Sequence, residues 1–243
     1  MNVYLYQNNT EKILKNAYIG EVWTPTSNTL LYMEFNNNLN DSSWKWVSIS
    51  WSGIWYEDIW NKKCVKLTSL TGEITWPWNL MAPVWTWDFA VSFYIKPVTS
   101  NNVPSVFQSC NTASPRNWCF MFMWFNPSNF TKDRVAFYVN DSNKSTTSVT
   151  CTSLVWSWHH FLFTRYNWVC YWYIDGVSVL TPYSDSTSFL NVWYQWILNR
   201  AWSNDQKWQN TWCCMSELIV EKQWWDSSKA IQYFDITKSN YWL

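Results

Sequence analysis

Four glycines serve a 243-residue chain that carries 24 tryptophans, and this imbalance limits the backbone more than any other feature of the sequence. An average chain of this length would hold about 7% Gly, roughly 17 residues. Glycine enters positive φ without steric cost, so a turn-rich protein that is short of it must close tight turns on other side chains. Tryptophans occupy several turn-like segments: Asp41-Ser42-Ser43-Trp44-Lys45-Trp46, Tyr166-Asn167-Trp168 and Ala201-Trp202-Ser203-Asn204-Asp205. Trp and Gly codons are linked through UGA, which some bacterial lineages and their viruses read as Gly. We therefore expect a sizeable share of these tryptophans to be glycines encoded by UGA. The Trp-rich surface is then not by itself a sugar-stacking platform.

Charge excludes some partners. Lys and Arg together number 17, as do Asp and Glu, so the net charge is zero. No long-range field draws nucleic acid or an anionic membrane, and the interleaved aromatics do not read as a nucleic-acid groove. Seven cysteines are odd in number, lack a Cys-x-x-Cys spacing and include the adjacent Cys213-Cys214. Neither a disulfide framework nor a zinc site is expected from them. The segment Met1-Asn2-Val3-Tyr4-Leu5-Tyr6-Gln7 has no basic or apolar region of the secretory kind, and charge-free stretches such as 117–130 are too short and polar to span a bilayer. The expectation is an extracellular or virion-associated protein without a signal peptide and without membrane insertion.

Hydrophobic periodicity predicts strands nearly throughout. Residues 1–28 read as an N-terminal arm or hairpin, with strands over Val3 to Tyr6 and Lys12 to Gly20, that docks on the domain or joins copies into an oligomer. Residues 29–243 read as one domain. In Asp88 to Lys96, Phe89, Val91, Phe93 and Ile95 alternate with Asp88, Ser92 and Lys96, a period-two pattern with one face buried. Arg134 to Asn140 repeats it. His159 to Arg165, Val169 to Ile174 and Val177 to Val179 form a meander whose second turn, Asp175-Gly176, is the strongest hairpin signal in the chain. Met215 to Glu221 is a further strand, followed by a helix capped by Asp226 and running to about Phe234, with Ala230, Ile231 and Phe234 on its inner side. Polar clusters at 36–43, 100–117 and 140–153 read as loops.

Four of these segments, in this order, resemble the laminin-G-like branch of the concanavalin A-like lectin and glucanase superfamily. Leu31-Tyr32-Met33-Glu34-Phe35-Asn36-Asn37-Asn38-Leu39-Asn40-Asp41-Ser42-Ser43 resembles its first strand and turn. Trp87-Asp88-Phe89-Ala90-Val91-Ser92-Phe93-Tyr94-Ile95-Lys96 resembles its Gly-Asp-Phe strand. Trp158-His159-His160-Phe161-Leu162-Phe163-Thr164-Arg165 with Tyr173-Ile174-Asp175-Gly176 resembles its Trp-His-His hairpin, and Met215 to Glu221 resembles its last core strand. The resemblance covers roughly residues 30–240. It implies an all-β fold, a two-sheet antiparallel jelly-roll sandwich with a short C-terminal helix. It also places Trp44, Trp87 and Trp168 where the family has Gly, and Trp158 where the family has Trp.

Glucanases of this kind need paired carboxylates on one strand face. Glu217 and Glu221 share a face of their strand, but four residues at about 3.3 Å each set them about 13 Å apart, beyond the separations of retaining or inverting pairs. Ile219 stands between them. A solvated pair on an outer face is the reading, so no catalytic residues are assigned. His159 and His160 are the only histidines and, as strand neighbours, point to opposite faces, so they cannot chelate one metal. No Gly-x-Ser-x-Gly elbow occurs. Asn36, Asn38 and Asp41, with Asn40, offer Ca²⁺ the oxygen donors of one loop, although such residues also form ordinary turns. Trp118, Trp124 and Asn126 lie on one strand face and are the candidates for stacking a sugar, with burial in the core the preferred reading. The function expected is a non-catalytic binding module for carbohydrate or another cell-surface ligand, in a phage tail fibre or surface protein. The alternative is a structural spacer domain of a virion or surface layer, with a glycoside hydrolase less favoured.

Overall fold

Among the described residues, period-two segments find antiparallel partners, and the pairing forms three sheets. The computed structural model describes residues 4–7, 10–13, 25–43, 47–59, 62–67, 73–75, 88–96, 105–110, 118–125, 134–139, 142–143, 157–179, 181–184, 194–197, 214–241 and 243. The first strands are β1 (Tyr4–Gln7), β2 (Thr10–Ile13), β3 (Thr29–Met33), β4 (Ser50–Ser52), β5 (Ile54–Ile59) and β6 (Lys62–Leu67). Then come β7 (Glu73–Thr75), β8 (Phe89–Lys96), β9 (Ser105–Cys110), β10 (Trp118–Phe125), β11 (Arg134–Val139) and β12 (Ser142–Asn143). The last are β13 (His159–Tyr166), β14 (Val169–Ile174), β15 (Val177–Ser178), β16 (Tyr183–Ser184), β17 (Tyr194–Ile197) and β18 (Cys214–Glu221). Helix α1 (Ser227–Thr237) and a 3-10 turn over Lys238–Tyr241 follow.

β1 and β2 pair with each other, Gln7 opposite Thr10. That two-residue connection starts the second strand of the arm at Thr10 rather than at the expected Lys12, and 14–24 lie outside the described residues. A seven-stranded sheet runs β12-β11-β10-β9-β17-β7-β4, and a nine-stranded sheet runs β15-β14-β13-β8-β18-β6-β5 with β3 on β18 and β16 on β14. Ser105–Cys110, expected as loop, is strand β9, because pairing with both β10 and β17 overrides its weak local signal. The architecture is mostly β and antiparallel with one short helix, consistent with a β-sandwich.

The nine-stranded sheet is covered on both faces. Toward one side, Phe89, Val91, Phe93 and Ile95 of β8 join Phe161 and Phe163 of β13, Trp172, Leu218 and Val220. Ile74, from β7 of the other sheet, is part of that same cluster, as expected where two sheets face each other. Phe161 is registered directly against Phe93, and their rings stack with centroids 5.7 Å apart. Toward the other side, Tyr32, Ala90, Tyr94, Leu162, Tyr173 and Ile219 pack against Trp225, Ala230, Tyr233 and Tyr241. Trp158 joins this second cluster, its ring 5.3 Å from that of Tyr241. The expectation of one buried face is therefore corrected: Ser92 is buried too, because the C-terminal helix lies over it.

Helix α1 begins as its cap dictates, the Asp226 Oδ1 accepting from the Lys229 amide at 2.7 Å. Its inner face differs from expectation. Ala230, Tyr233 and Thr237 are buried, whereas Ile231 is exposed. An aromatic sheet face selects the row bearing Tyr233, whose ring sits tilted against Trp225 at 5.0 Å and whose hydroxyl reaches the Glu217 carboxylate.

Both turns of the β13-β14-β15 meander have positive φ at their two central residues, the geometry of type I′ hairpins. In the second these are Asp175 (φ 51) and Gly176 (φ 75). In the first they are Asn167 (φ 46) and Trp168 (φ 64). Trp168 thus occupies the position that Gly176 fills in the neighbouring turn. Trp168 is 41% exposed and its indole lies over the Arg165 guanidinium at 5.0 Å, a contact that offsets little of the cost of left-handed backbone. Trp44 and Trp87 lie outside the described residues. Trp168→Gly is expected to raise stability by about 1 kcal/mol and the melting temperature by about 2–4 °C. Calorimetry showing an equal or lower melting temperature would overturn this account of the turn.

Candidate functional site

β18 carries both carboxylates that the sequence offers for glycosidic chemistry, and its backbone is irregular where they sit. Ser216 pairs with Tyr94 and Ile219 with Ser92, so Glu217 and Leu218 both stand opposite Phe93. This is a β-bulge, and Glu217 takes φ 50 within it. Strict alternation from Met215 would aim Glu217 into the apolar cluster. The extra residue turns it toward α1 and lets Leu218 enter the core instead.

Neither carboxylate is solvated, which corrects the expected outer-face pair: Glu217 is 3% exposed and Glu221 0%. The Glu217 Oε1 accepts from the Lys62 ammonium and its Oε2 from the Tyr233 hydroxyl at 3.2 Å. The Glu221 Oε1 accepts from the Thr29 hydroxyl at 3.3 Å, and its Oε2 from the Trp225 indole N–H and from Lys229 Nζ at 2.7 Å. Burial first, and the Glu217 charge second, hold the phenols of Tyr32, Tyr233 and Tyr241 well above the ordinary tyrosine range. They stay protonated and serve as donors. Chemically this is a charge-paired clamp that fastens helix to sheet, with every carboxylate oxygen engaged.

A second polar group lies beside it. The His160 Nε2 meets the Ser92 hydroxyl at 2.8 Å, and the residue is completely buried. Burial pushes its pKa down to about 3, with Asp175 pulling weakly the other way. His159 points to the opposite side, as expected, its Nδ1 2.6 Å from the Asp175 Oδ2. Asp175 also accepts from the His160 amide at 2.8 Å, so one turn residue orients both histidines. A serine beside a histidine looks like a nucleophile and its base. Here both are sealed under aromatic rings, Tyr94 at 4.9 Å and Tyr233 at 5.2 Å from the imidazole.

The candidate metal ligands do share one loop. Asn36 and Asn38 are exposed and Asp41 is half-buried. The polar groups of the loop bind one another. The Asn38 Oδ1 accepts from the Asn40 amide at 2.9 Å, while the Asp41 Oδ1 accepts from the amides of Tyr32 and Ser43 and its Oδ2 from the Ser43 hydroxyl and the Val47 amide. Asp41 is thereby the hub that closes the loop onto β3. Among the described residues no three His, Cys, Asp or Glu side chains are grouped to hold a metal ion. Of the candidate ligand residues, Trp118 and Trp124 lie on β10, registered against Cys110 of β9 and Val135 of β11 respectively. For these two only the backbone is described, and Asn126 lies outside the described residues.

Sequence reasoning missed the partners of the carboxylates, Lys62, Tyr233 and Lys229. A glutamate at an inward position of an otherwise apolar strand is the signal that could have found them, since a buried charge requires a partner. It also missed the exposed Trp51 and Trp55, which flank Gly53 where the chain leaves β4 for β5.

No protein-family model matches this sequence, and no curated protein matches it. Solved structures do share the fold. A mutant of Trypanosoma rangeli sialidase displaying trans-sialidase activity superposes with a TM-score of 0.67 at 10% identity, over 90% of this chain and 34% of that one. The binding domain of Paraclostridial Mosquitocidal Protein 1 gives 0.67 at 14% identity, over 85% of this chain and 52% of the other. A mutant of HCR D/C VPI 5995 gives 0.64 at 14% identity, over 86% and 52%. At these identities the likeness is one of fold, and this chain spans about a third to a half of its neighbours' lengths. Among the described residues no helix is long and apolar enough to cross a membrane.

The buried histidine gives this layer a pH signature. His160 is neutral in the fold but takes a proton near pH 6.5 when unfolded, so the unfolded chain binds more protons between about pH 6.5 and 3. Its contribution is complete above pH 6.5 and is lost as pH falls toward 3. In urea titrations from pH 6 to 4, the wild type should lose up to about 1.4 kcal/mol per pH unit more than His160→Gln. Parallel acid limbs for the two proteins would show that His160 is not held neutral by the fold.

Proposed function

We propose that this chain is a non-catalytic binding module of jelly-roll type that recognises carbohydrate or another cell-surface ligand outside the cell, carried on a phage tail fibre or surface protein. The observation that carries the reading is the state of Glu217 and Glu221. The two carboxylates a lectin-like fold would need for hydrolysis lie beneath α1, each ion-paired to a lysine. A binding domain is also among the structures sharing the fold at TM-score 0.67, which supports a binding role by analogy of fold alone. Trp118, Trp124 and Asn126 are the ligand residues of this proposal, and Asn36, Asn38 and Asp41 its Ca²⁺ loop. Labelled protein on a glycan array, with and without Ca²⁺, tests it. Retention of one glycan class, lost in Trp124→Ala, is expected. No hits together with tight binding to a neighbouring structural protein would favour a spacer, and release of reducing sugar would make the chain a hydrolase.

We further propose that Trp168 is a glycine in the organism that makes this protein. Support comes from the matched pair of type I′ turns, one closed on Asp-Gly and the other on Asn-Trp. The codons for Trp44, Trp87 and Trp168 should then be UGA and that for buried Trp158 UGG, with Gly found at 168 by peptide mass in protein from its native source. UGG at all four positions would return the tryptophans to candidacy as an aromatic binding surface.

A further inference from the structure

The tyrosines on the helix side of the nine-stranded sheet divide into two groups by the state of their hydroxyls. Beneath α1, Tyr32, Tyr94, Tyr233 and Tyr241 are bonded to Glu34, Thr237, Glu217 and Ser216 in turn. Toward the N-terminal end of α1 lie Tyr166, Tyr171 and Tyr173 of β13 and β14, and their hydroxyls have no hydrogen-bond partner among the described residues. The same end carries rings that the helix leaves uncovered. Tyr166 is 43% exposed, and its ring stacks on the half-buried indole of Trp224 with centroids 4.3 Å apart. Tyr171, also half-buried, stands 6.3 Å from that indole.

Alternation along β14 puts Tyr171 and Tyr173 on one face. Burial first, then Tyr171 and the Asp226 carboxylate, hold the Tyr173 phenol above the ordinary tyrosine range, so the three polar groups lie within electrostatic reach of one another. Asp226 is exposed. Its Oδ1 caps α1, and its Oδ2 accepts no bond among the described residues. The segment that bears Trp224 is anchored on both sides: the Trp225 amide donates to the Thr164 hydroxyl at 2.9 Å and the Lys222 amide to the Asn28 carbonyl at 2.8 Å. Trp224 has no positive φ, so the glycine argument made for Trp168 does not extend to it.

We propose that this rim, where the β13-β14 turn meets residues 222–226, binds a neutral pyranose. The C–H face of the sugar lies against the Tyr166–Trp224 pair, and its hydroxyls bond the Asp226 carboxylate and the phenols of Tyr171 and Tyr173. The inference rests on the reading of the chain as a carbohydrate-binding module, and it puts the sugar on the nine-stranded sheet rather than on β10. An aromatic plane takes the apolar face of a pyranose, while phenols that both donate and accept, beside a carboxylate that accepts, replace the water its hydroxyls give up. An anionic sugar would meet the Asp226 charge and is disfavoured. Rings already held in place lose little freedom when the ligand binds.

The test is an NMR shift titration of the isotope-labelled full chain with methyl glycosides of mannopyranose, galactopyranose and glucopyranose. At least one of them is expected to shift the amides of 166–171 and 222–226, with affinity at least about tenfold weaker in Tyr166→Ala and in Trp224→Ala. Asp226→Asn keeps the helix cap, because Asn caps as well as Asp, and should weaken binding through loss of the carboxylate acceptor. Binding that shifts other amides and survives in Trp224→Ala overturns this site while leaving the binding-module reading in place. A wild type that takes none of the glycosides overturns the site as well, and the glycan array then decides whether the wider reading falls with it. Should the alanine variants fail to fold, the wild-type shift map decides alone.

Discussion

Everything on the helix side of the nine-stranded sheet depends on burying two negative charges. β18 is a central strand, paired with β8 along one edge and with β3 and β6 along the other. A charge left unpaired in such a place costs several kcal/mol, comparable with the net stability of about 5–15 kcal/mol of a whole domain. Lys62, Lys229, Thr29, Trp225 and Tyr233 answer the two carboxylates from four separate segments. The docking of α1 therefore follows from the charges beneath it as well as from apolar contact. The bulge at Glu217 is part of the same solution, because it keeps the carboxylate on the polar side while β18 continues to supply Leu218 and Val220 to the core.

What was legible in the sequence was local. Phe89, Val91, Phe93 and Ile95 announce a strand by strict alternation, Asp175-Gly176 announces a hairpin by its turn chemistry, and Asp226 announces a helix start by its capping oxygen. Each of these signals is complete within about ten residues. The failures required knowledge of what lies across the sheet. The alternation puts Ser92 on a solvent face because nothing near it reveals that α1 covers it. Periodicity puts Ile231 inward because it cannot by itself choose between two apolar rows, and the aromatic face of the sheet selects the row of Tyr233. Glu217 defeated alternation itself, since a bulge inserts a residue that a period-two count cannot anticipate. Ser105–Cys110 shows the converse, a polar segment made into a strand by partners on both sides.

Candidate site residues were legible only as residue types. Asn36, Asn38 and Asp41 do gather in one loop, as their spacing implied. Spacing does not reveal that Asp41 reaches back to the amide of Tyr32 and forward to that of Val47, which makes it a closure for the turn. Cys64 and Cys214, which nothing in the sequence relates, come to one sheet face because β6 and β18 are neighbours in the sheet although far apart in the chain.

The same packing narrows where a ligand can be taken. At β8, β13 and β18 the nine-stranded sheet has the phenylalanine-rich core on one side and the tyrosine layer with α1 on the other. A polyhydroxylated ligand needs an accessible aromatic plane beside unspent donors and acceptors. On the helix side, the tyrosine hydroxyls and carboxylates that would suit it are already bonded to one another: Tyr94 to Thr237, Tyr241 to Ser216 and Tyr233 to Glu217. Exposing them would mean lifting α1 and leaving two charges unanswered, a cost that a weak surface contact does not repay. The binding role proposed for this chain would thereby fall to the rim loops or to the seven-stranded sheet, where β10 carries Trp118 and Trp124. In that proposal the covered sheet would be the rigid support of the site.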